Sequence, residues 1–279
     1  MIGNTSEAPK VEYILGHSDR EIRRLVRQAG ILRPFTERLL RDAGLRQGMK
    51  VLDLGCGAGD VSFLAAELVG PSGTVVGIDR SPEAIAAARR RARTVGLANV
   101  HFEATSVGAF RGVEPFDLVV GRYVLVHQVD PIAFVRAAAN LARPGGVVAF
   151  HELCLTGRLL GSLPHVPLWQ QAGEWIDTAF RAVAPHCDAG GRLFEIFDRA
   201  GLPGPKVTCE CLVGGGADSL LYGWIAATLA GVLPQLVKMQ VVAVDAVAID
   251  SFESRLRSAV VEARSQVVGP AQFCGWARV

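Results

Sequence analysis

The stretch 51–60, Val-Leu-Asp-Leu-Gly-Cys-Gly-Ala-Gly-Asp, holds two acids and three glycines at the spacing of a cofactor loop. Gly55, Gly57 and Gly59 alternate, which lets the backbone turn sharply and lets a ligand lie on bare peptide. A helix starting behind them offers its unpaired N–H groups to that ligand. The dinucleotide fingerprint G-x-G-x-x-G, counted from Gly55, needs glycine at position 60, where this chain has Asp60. An acid there competes with a pyrophosphate for the helix dipole, and Asp53 adds negative charge. The loop is therefore expected to take a ligand with positive charge and no phosphate. Asp79 follows Gly59 by 20 residues. Its carboxylate has two acceptor oxygens for the two hydroxyls of a ribose.

These residues need a strand before the loop and a helix after it. Val51 to Leu54 is a short apolar run, and Val61, Leu64, Ala65 and Leu68 mark one helical face. From Lys50 the pattern alternates strand and helix, as a parallel sheet requires. Further strands are expected over 74–79, 99–103, 116–121 and 147–151. Ser81-Pro82-Glu83 and Asp130-Pro131 are helix starts with proline at the first helical position, and Gly96 and Pro144-Gly145-Gly146 are stops. Upstream, Ser18 and Glu21 form a capping box for a first helix, and a second helix over 33–43 ends at Gly44. Downstream, 152–188 holds an apolar helix with Trp169, Trp175 and Phe180. A helix over 191–200 and a strand over 206–213 return to the core. Gly214-Gly215-Gly216 opens a second, largely helical segment whose last helix Asp250 and Glu253 are expected to cap. Residues 272–279 read as a final strand. The expected organisation is an N-terminal helical cap over 1–46 and a core over 47–279, with helical insertions at about 152–188 and 214–266.

The D-x-G-x-G-x-G loop, Asp79 and the strand Phe116-Asp117-Leu118-Val119-Val120 resemble the class I S-adenosylmethionine (SAM)-dependent methyltransferases, in particular the quinone-biosynthesis and natural-product group. The resemblance implies an α/β, Rossmann-like, mostly parallel sheet of seven strands, the last two antiparallel, with helices on both faces and a helical cap. It implies SAM as cofactor, whose sulfonium and amino group suit acids around a glycine loop. Carried onto this sequence, the donor is expected among Asp53, Gly55, Cys56 and Gly57, with Asp79 and Arg80 on the ribose side. Thr105, Ser106 and Val107 follow the third strand, where related families hold an adenine-binding Asp and this chain has Ser106. Gly121 and Arg122 end the fourth strand, with Arg122 a candidate partner for the SAM carboxylate. Tyr13 in the cap completes the set.

Methyl transfer needs alignment and exclusion of water, and a general base when the acceptor is a hydroxyl. His127 and His151 follow the fourth and fifth strands, and His17 lies in the cap. These three are the base candidates, with Tyr13 and Tyr123 nearby. Trp169, Trp175, Trp224, Phe180 and Leu221 either wall an apolar acceptor pocket or pack the cap onto the core. The Asn/Asp-Pro-Pro-Tyr/Phe signature of nucleobase amino methylation is absent after the fourth strand. Only Asp117, Asp130 and Glu152 lie near enough to hold Mg²⁺, so no metal is expected.

The chain has 279 residues, 50% hydrophobic, with a net charge of +2. That balance implies no nucleic-acid field. Arg89, Arg90, Arg91 and Arg93 are read as the solvated last turns of a helix. The six cysteines show no metal spacing and fit a reduced cytoplasmic compartment. The N-terminus lacks a signal-peptide core, and the apolar run 220–237 is interrupted by Gly231 and Pro234, so no membrane segment is expected. The expected partner is a small, apolar or aromatic methyl acceptor, modified at O, N or C, and the chain is expected to be a monomer or homodimer. The rivals are a SAM-binding regulator, a SAM-fold enzyme with non-methylating chemistry, and an NAD-dependent oxidoreductase.

Overall fold

A computed structural model describes residues 19–112, 114–155 and 160–279. The elements run α1 (Asp19–Asp42), β1 (Lys50–Leu54), α2 (Asp60–Val69), β2 (Thr74–Asp79), α3 (Pro82–Val95), β3 (Val100–Ala104), β4 (Phe116–Arg122), α4 (Pro131–Ala139) and β5 (Ala142–Leu153). They continue as β6 (Gly161–Leu163), α5 (Pro167–Arg181), α6 (Leu193–Arg199), β7 (Lys206–Glu210), β8 (Val213–Gly214), α7 (Leu220–Lys238), α8 (Val244–Val247), α9 (Phe252–Glu262), β9 (Gln266–Val268) and β10 (Gln272–Arg278).

Seven strands form one sheet in the order β3-β2-β1-β4-β5-β10-β7. Strands β1 to β5 are mutually parallel, and β10 pairs antiparallel with both β5 and β7. The last two strands are thus antiparallel to each other, and only β10 runs against the rest. The chain order reverses between β1 and β4, so a crevice opens at their carboxyl ends, where open α/β sheets bind ligands. Side chains alternate between two cores. Val51, Leu118, Val120, Val147 and Ala149 face α2, α3 and the end of α1, while Leu52, Val119, Val148 and Phe150 face α4 and α6. A third core, the cap core, joins the middle of α1 to α5, α7 and α9.

The two expected N-terminal helices are one helix, α1, with Pro34 inside it. Proline costs a helix interior about 3 kcal/mol. Ile31, Leu32 and Phe35 are buried in the cap core and Leu39 and Leu40 in the sheet core. At about 1.5–3 kcal/mol each, their burial outweighs the missing hydrogen bond. Ser18 of the expected capping box lies outside the described residues. The run expected to be broken by Gly231 and Pro234 is likewise the continuous helix α7, long and apolar enough to cross a membrane by length and composition. Here Leu221, Trp224, Ile225, Leu229 and Leu236 of α7 are buried in the cap core.

Three further expectations change. Pro144-Gly145-Gly146 does not precede β5 but lies inside it, at a register shift opposite Phe116/Leu118, with Gly145 at φ 76°. The N-cap of α9 is Ser251 without a side-chain cap bond, and Glu253 instead pairs with Arg257 at 2.9 Å. The insertions also share a small antiparallel sheet, β6-β9-β8, that local patterning did not reveal.

Candidate active site

The glycine loop follows β1 because its three glycines adopt backbone that other residues avoid: φ is 64° at Gly55, 54° at Gly57 and 92° at Gly59. A side chain at Gly55 would meet Val124 Cγ1 at 2.5 Å, and one at Gly59 would meet Phe63 Cζ at 2.8 Å. A side chain at Gly57 would meet nothing within 4 Å, so its bare face is open to a ligand. The Cys56 N–H donates to the Ile78 carbonyl at 3.0 Å, fastening the loop to β2. The Cys56 thiol is buried, and burial raises its pKa.

Asp79, ending β2, accepts the Gly57 N–H at 3.0 Å on Oδ2 and the Ser81 N–H at 2.9 Å on Oδ1. Each oxygen keeps a second lone pair for a hydroxyl. Arg80 beside it is exposed. The Thr105 N–H donates to the Asp79 carbonyl at 2.9 Å, which brings the turn after β3 alongside. Ser106 Oγ accepts the Ala109 N–H at 3.3 Å, and Val107 packs at the margin of the α4–α6 core.

The two other acids work differently from the sequence reading. Asp60 does not confront a ligand with bare charge, because Arg91 donates to its Oδ1 at 2.6 Å and to the Ala58 carbonyl at 2.6 Å. Arg91 also lies over the Phe63 ring at 5.0 Å, and Arg89 donates to the Phe102 carbonyl at 2.5 Å. Of the four clustered arginines, Arg91 ties α3 to the glycine loop, while Arg89, Arg90 and Arg93 are exposed, as a solvated helix face predicts. Asp53 points beneath the loop toward α2, where it accepts the Ser62 hydroxyl at 2.6 Å. Burial pushes its pKa up to about 7, so it presents less charge at neutral pH than expected. Discrimination between ligands then rests on glycine spacing and shape more than on these two charges.

Gly121 sits tightly under Val124 and Phe150, with room for no side chain. Arg122 ends β4 half-buried and donates to Thr36 Oγ1 of α1 at 3.2 Å. It is near enough to Asp53 and His151 to affect both electrostatically. The next residue, Tyr123, has φ 57°, outside the range most side chains tolerate. The chain around it is held at several points. The Tyr123 N–H donates to the His151 carbonyl at 2.9 Å, and its hydroxyl donates to Gln272 Oε1.

His151 does not face the crevice. Alternation along β5 turns it toward α1, where it is fully buried. Its Nδ1 lies 3.0 Å from Thr36 Oγ1 and its Nε2 lies 3.0 Å from Gln272 Oε1. An amide oxygen accepts only, so Nε2 carries the proton and Nδ1 accepts from Thr36. Burial, with Arg122 nearby, pushes its pKa down to about 3, and both ring nitrogens are occupied. His127 ends a 3-10 turn, Leu125–His127, on the crevice side of β4. Burial, helped by Arg80, pushes its pKa down to about 4, so it is neutral at pH 7. Tyr13 and His17 lie outside the described residues.

The carboxylates weighed for a metal are engaged elsewhere. Asp117 accepts the Lys50 N–H at 2.8 Å and Arg143 Nε at 2.7 Å, at the opposite end of the sheet, and Asp130 caps α4 through the Ala133 N–H at 2.9 Å. Glu152 accepts two backbone N–H groups after β4. Among the described residues, no three His, Cys, Asp or Glu side chains converge. Trp169, Trp224 and Leu221 are buried in the cap core, and Trp175 and Phe180 pack against it. Thr36 and Gln272 were not singled out from the sequence, and Glu152 was weighed only as a metal carboxylate. Glu152 had one visible sign, an acid following an apolar strand, while Thr36 and Gln272 had none.

A family model described as "Methyltransferase domain" matches residues 45–201, more than half of the chain. A ubiquinone biosynthesis O-methyltransferase of Methylocella silvestris is 39% identical over 103 residues, covering 37% of this chain and 39% of that protein. The aklanonic acid methyltransferase DauC of Streptomyces sp. (strain C5) is 37% identical over 137 residues, covering 48% of this chain and 60% of that protein. The match thus spans less than two thirds of the length of these curated relatives. The solved structure of the YcgJ protein of Bacillus subtilis shares the fold, with a TM-score of 0.58 and 15% identity over 87% of this chain and 97% of that one.

Proposed function

The chain belongs to the methyltransferase-domain family, the class I SAM-dependent methyltransferases, and from that premise we propose that it transfers a methyl group from SAM to an O, N or C atom of a small, apolar or aromatic metabolite. One observation carries the reading: Gly57 offers an open, side-chain-free face while its N–H is tied to Asp79. A glycine surface and a ribose acceptor are thereby held in fixed relation.

Bound there, SAM would supply an electrophilic methyl group on a sulfonium that departs as a neutral thioether. The chain's own work is placement. Asp79 accepts the ribose hydroxyls, Ser106 lies toward the adenine, and Arg122 meets the donor carboxylate with donors that Thr36 does not use. The loop, Val124 and the cap exclude water, so that the acceptor meets the methyl in line. For a hydroxyl acceptor, His127 is the base among the described histidines, since His151 is enclosed. Its neutral form is the one that takes a proton. A reduced, cytoplasmic location suits a chain with six thiols.

Titration calorimetry with S-adenosylhomocysteine and with NADH tests the reading. Binding of the first and not the second is expected, and the reverse pattern ends the proposal. A protein that binds the donor product yet methylates nothing in a panel of phenols, quinols and amines would be the SAM-binding regulator instead.

A further inference from the structure

We propose that Glu152 is a positioning residue of the donor site, holding the turn at Tyr123–Leu125 against the glycine loop through Val124. The SAM-site reading above is its premise. Alternation along β5 sends Phe150 and Glu152 to the face opposite His151, under the turn that follows β4. Glu152 is fully buried there. Its Oε1 accepts the N–H of Val124 at 2.8 Å and the N–H of Leu125 at 2.8 Å. The left-handed Tyr123 turns these successive N–H groups to one side, a concavity that binds anions and here holds the chain's own carboxyl group. Val124 then carries the constraint outward. Its Cγ1 lies 2.5 Å from the point where a Gly55 side chain would begin, and its Cγ2 lies 2.7 Å from the same point at Gly121. Acid, turn, Val124 and Gly55 form one contiguous series from the β5 end to the cofactor loop.

The other oxygen of the carboxyl makes the case sharper. Glu152 Oε2 is buried with no hydrogen-bond partner. Burial alone would favour an apolar residue of the same size, and buried polar atoms are seldom left unpaired. The N–H groups of the turn, with that of Val126 beside them, give this acid a use.

The test uses the full chain and calorimetry with S-adenosylhomocysteine. Glu152→Gln keeps an acceptor oxygen at the turn and is expected to bind within about threefold of the parent. Glu152→Leu keeps the volume but removes the acceptor, and is expected to fold with a lowered melting temperature and to bind at least tenfold more weakly at a temperature where it is fully folded. Val124→Ala leaves both hydrogen bonds but removes the contact on Gly55. It is expected to weaken binding at least threefold, and it decides the matter should the Leu variant not fold. A folded Glu152→Leu protein with parental affinity overturns the proposal. So does a Gln variant as weak as the Leu variant, or an unchanged Val124→Ala protein. A parent protein that does not bind S-adenosylhomocysteine overturns the SAM reading itself, and this inference with it.

Discussion

The backbone N–H of Gly57 donates to Asp79 Oδ2 at 3.0 Å, so the loop after β1 and the acid ending β2 form one unit. The same carboxyl group that we propose for the ribose thus also shapes the loop. Asp79→Ala should weaken S-adenosylhomocysteine binding more than tenfold, because ribose bonds worth on the order of 1 kcal/mol each are lost together with the loop tether. Asp79→Asn, which keeps one acceptor oxygen, should fall between. Calorimetry on both variants checks this, and equal affinity for parent and Ala variant would remove Asp79 from the site.

The glycines of the loop should separate binding from folding. Alanine at Gly57 must adopt φ 54° but meets no atom, so it should cost about 1 kcal/mol of stability and reduce donor affinity sharply. Alanine at Gly59 meets the rings of Phe63 and Phe102 at 2.8 and 3.0 Å. It should cost more, on the order of 2–3 kcal/mol, because overpacking adds to the backbone penalty. Denaturant melts alongside ligand titrations distinguish the two. Equal stability losses would mean that the space beside Gly57 is filled.

His151 predicts an acid limit. Its folded pKa, pushed down to about 3, lies below the ordinary value of 6.5. The unfolded chain therefore binds the extra proton first. The stability from this residue is present above about pH 6.5 and is lost as the pH falls toward 3. Chemical denaturation between pH 7 and 4 should show a steeper loss for the parent than for His151→Gln. Parallel slopes would mean that His151 is not held neutral.

Glu152 predicts the opposite sign. Burial pushes its pKa up to about 8 from 4.5. The folded protein binds the proton more tightly, so this contribution is present below about pH 4.5 and is lost as the pH rises through 8. Glu152→Gln should thus gain stability relative to the parent on going from pH 5 to pH 9. A constant difference over that range would contradict the shift.

With an acceptor in hand, His127→Ala should lower the methylation rate by about 10²-fold if the acceptor is a hydroxyl, the usual scale for a general base. An amine acceptor should be affected far less. Single-turnover rates for matched phenol and aniline acceptors make the comparison.

Much of the sheet and of the donor loop could be read from local pattern. The glycine spacing, Asp79, and the Ser81 and Asp130 caps are short-range signals, and the structure realises them within a residue or two, with Ser81 and Asp130 accepting the Ala84 and Ala133 N–H groups. Helix breakers misled at Pro34 and Pro234, because burial along both α1 and α7 outweighs a propensity penalty that the sequence displays in isolation.

What the sequence determined by itself is the order of strands and helices and the glycine loop, since periodicity and backbone freedom are properties of neighbouring residues. The tertiary structure alone decided which charges remain charges. Asp60 meets Arg91 across 31 positions, Thr36 meets His151 across 115, and His151 meets Gln272 across 121. Burial and partners at such separations set protonation and direction, and no local pattern encodes them. They turned His151 from a candidate base into a strut between α1 and β10, and they gave Glu152 its place beneath the turn beside Gly55.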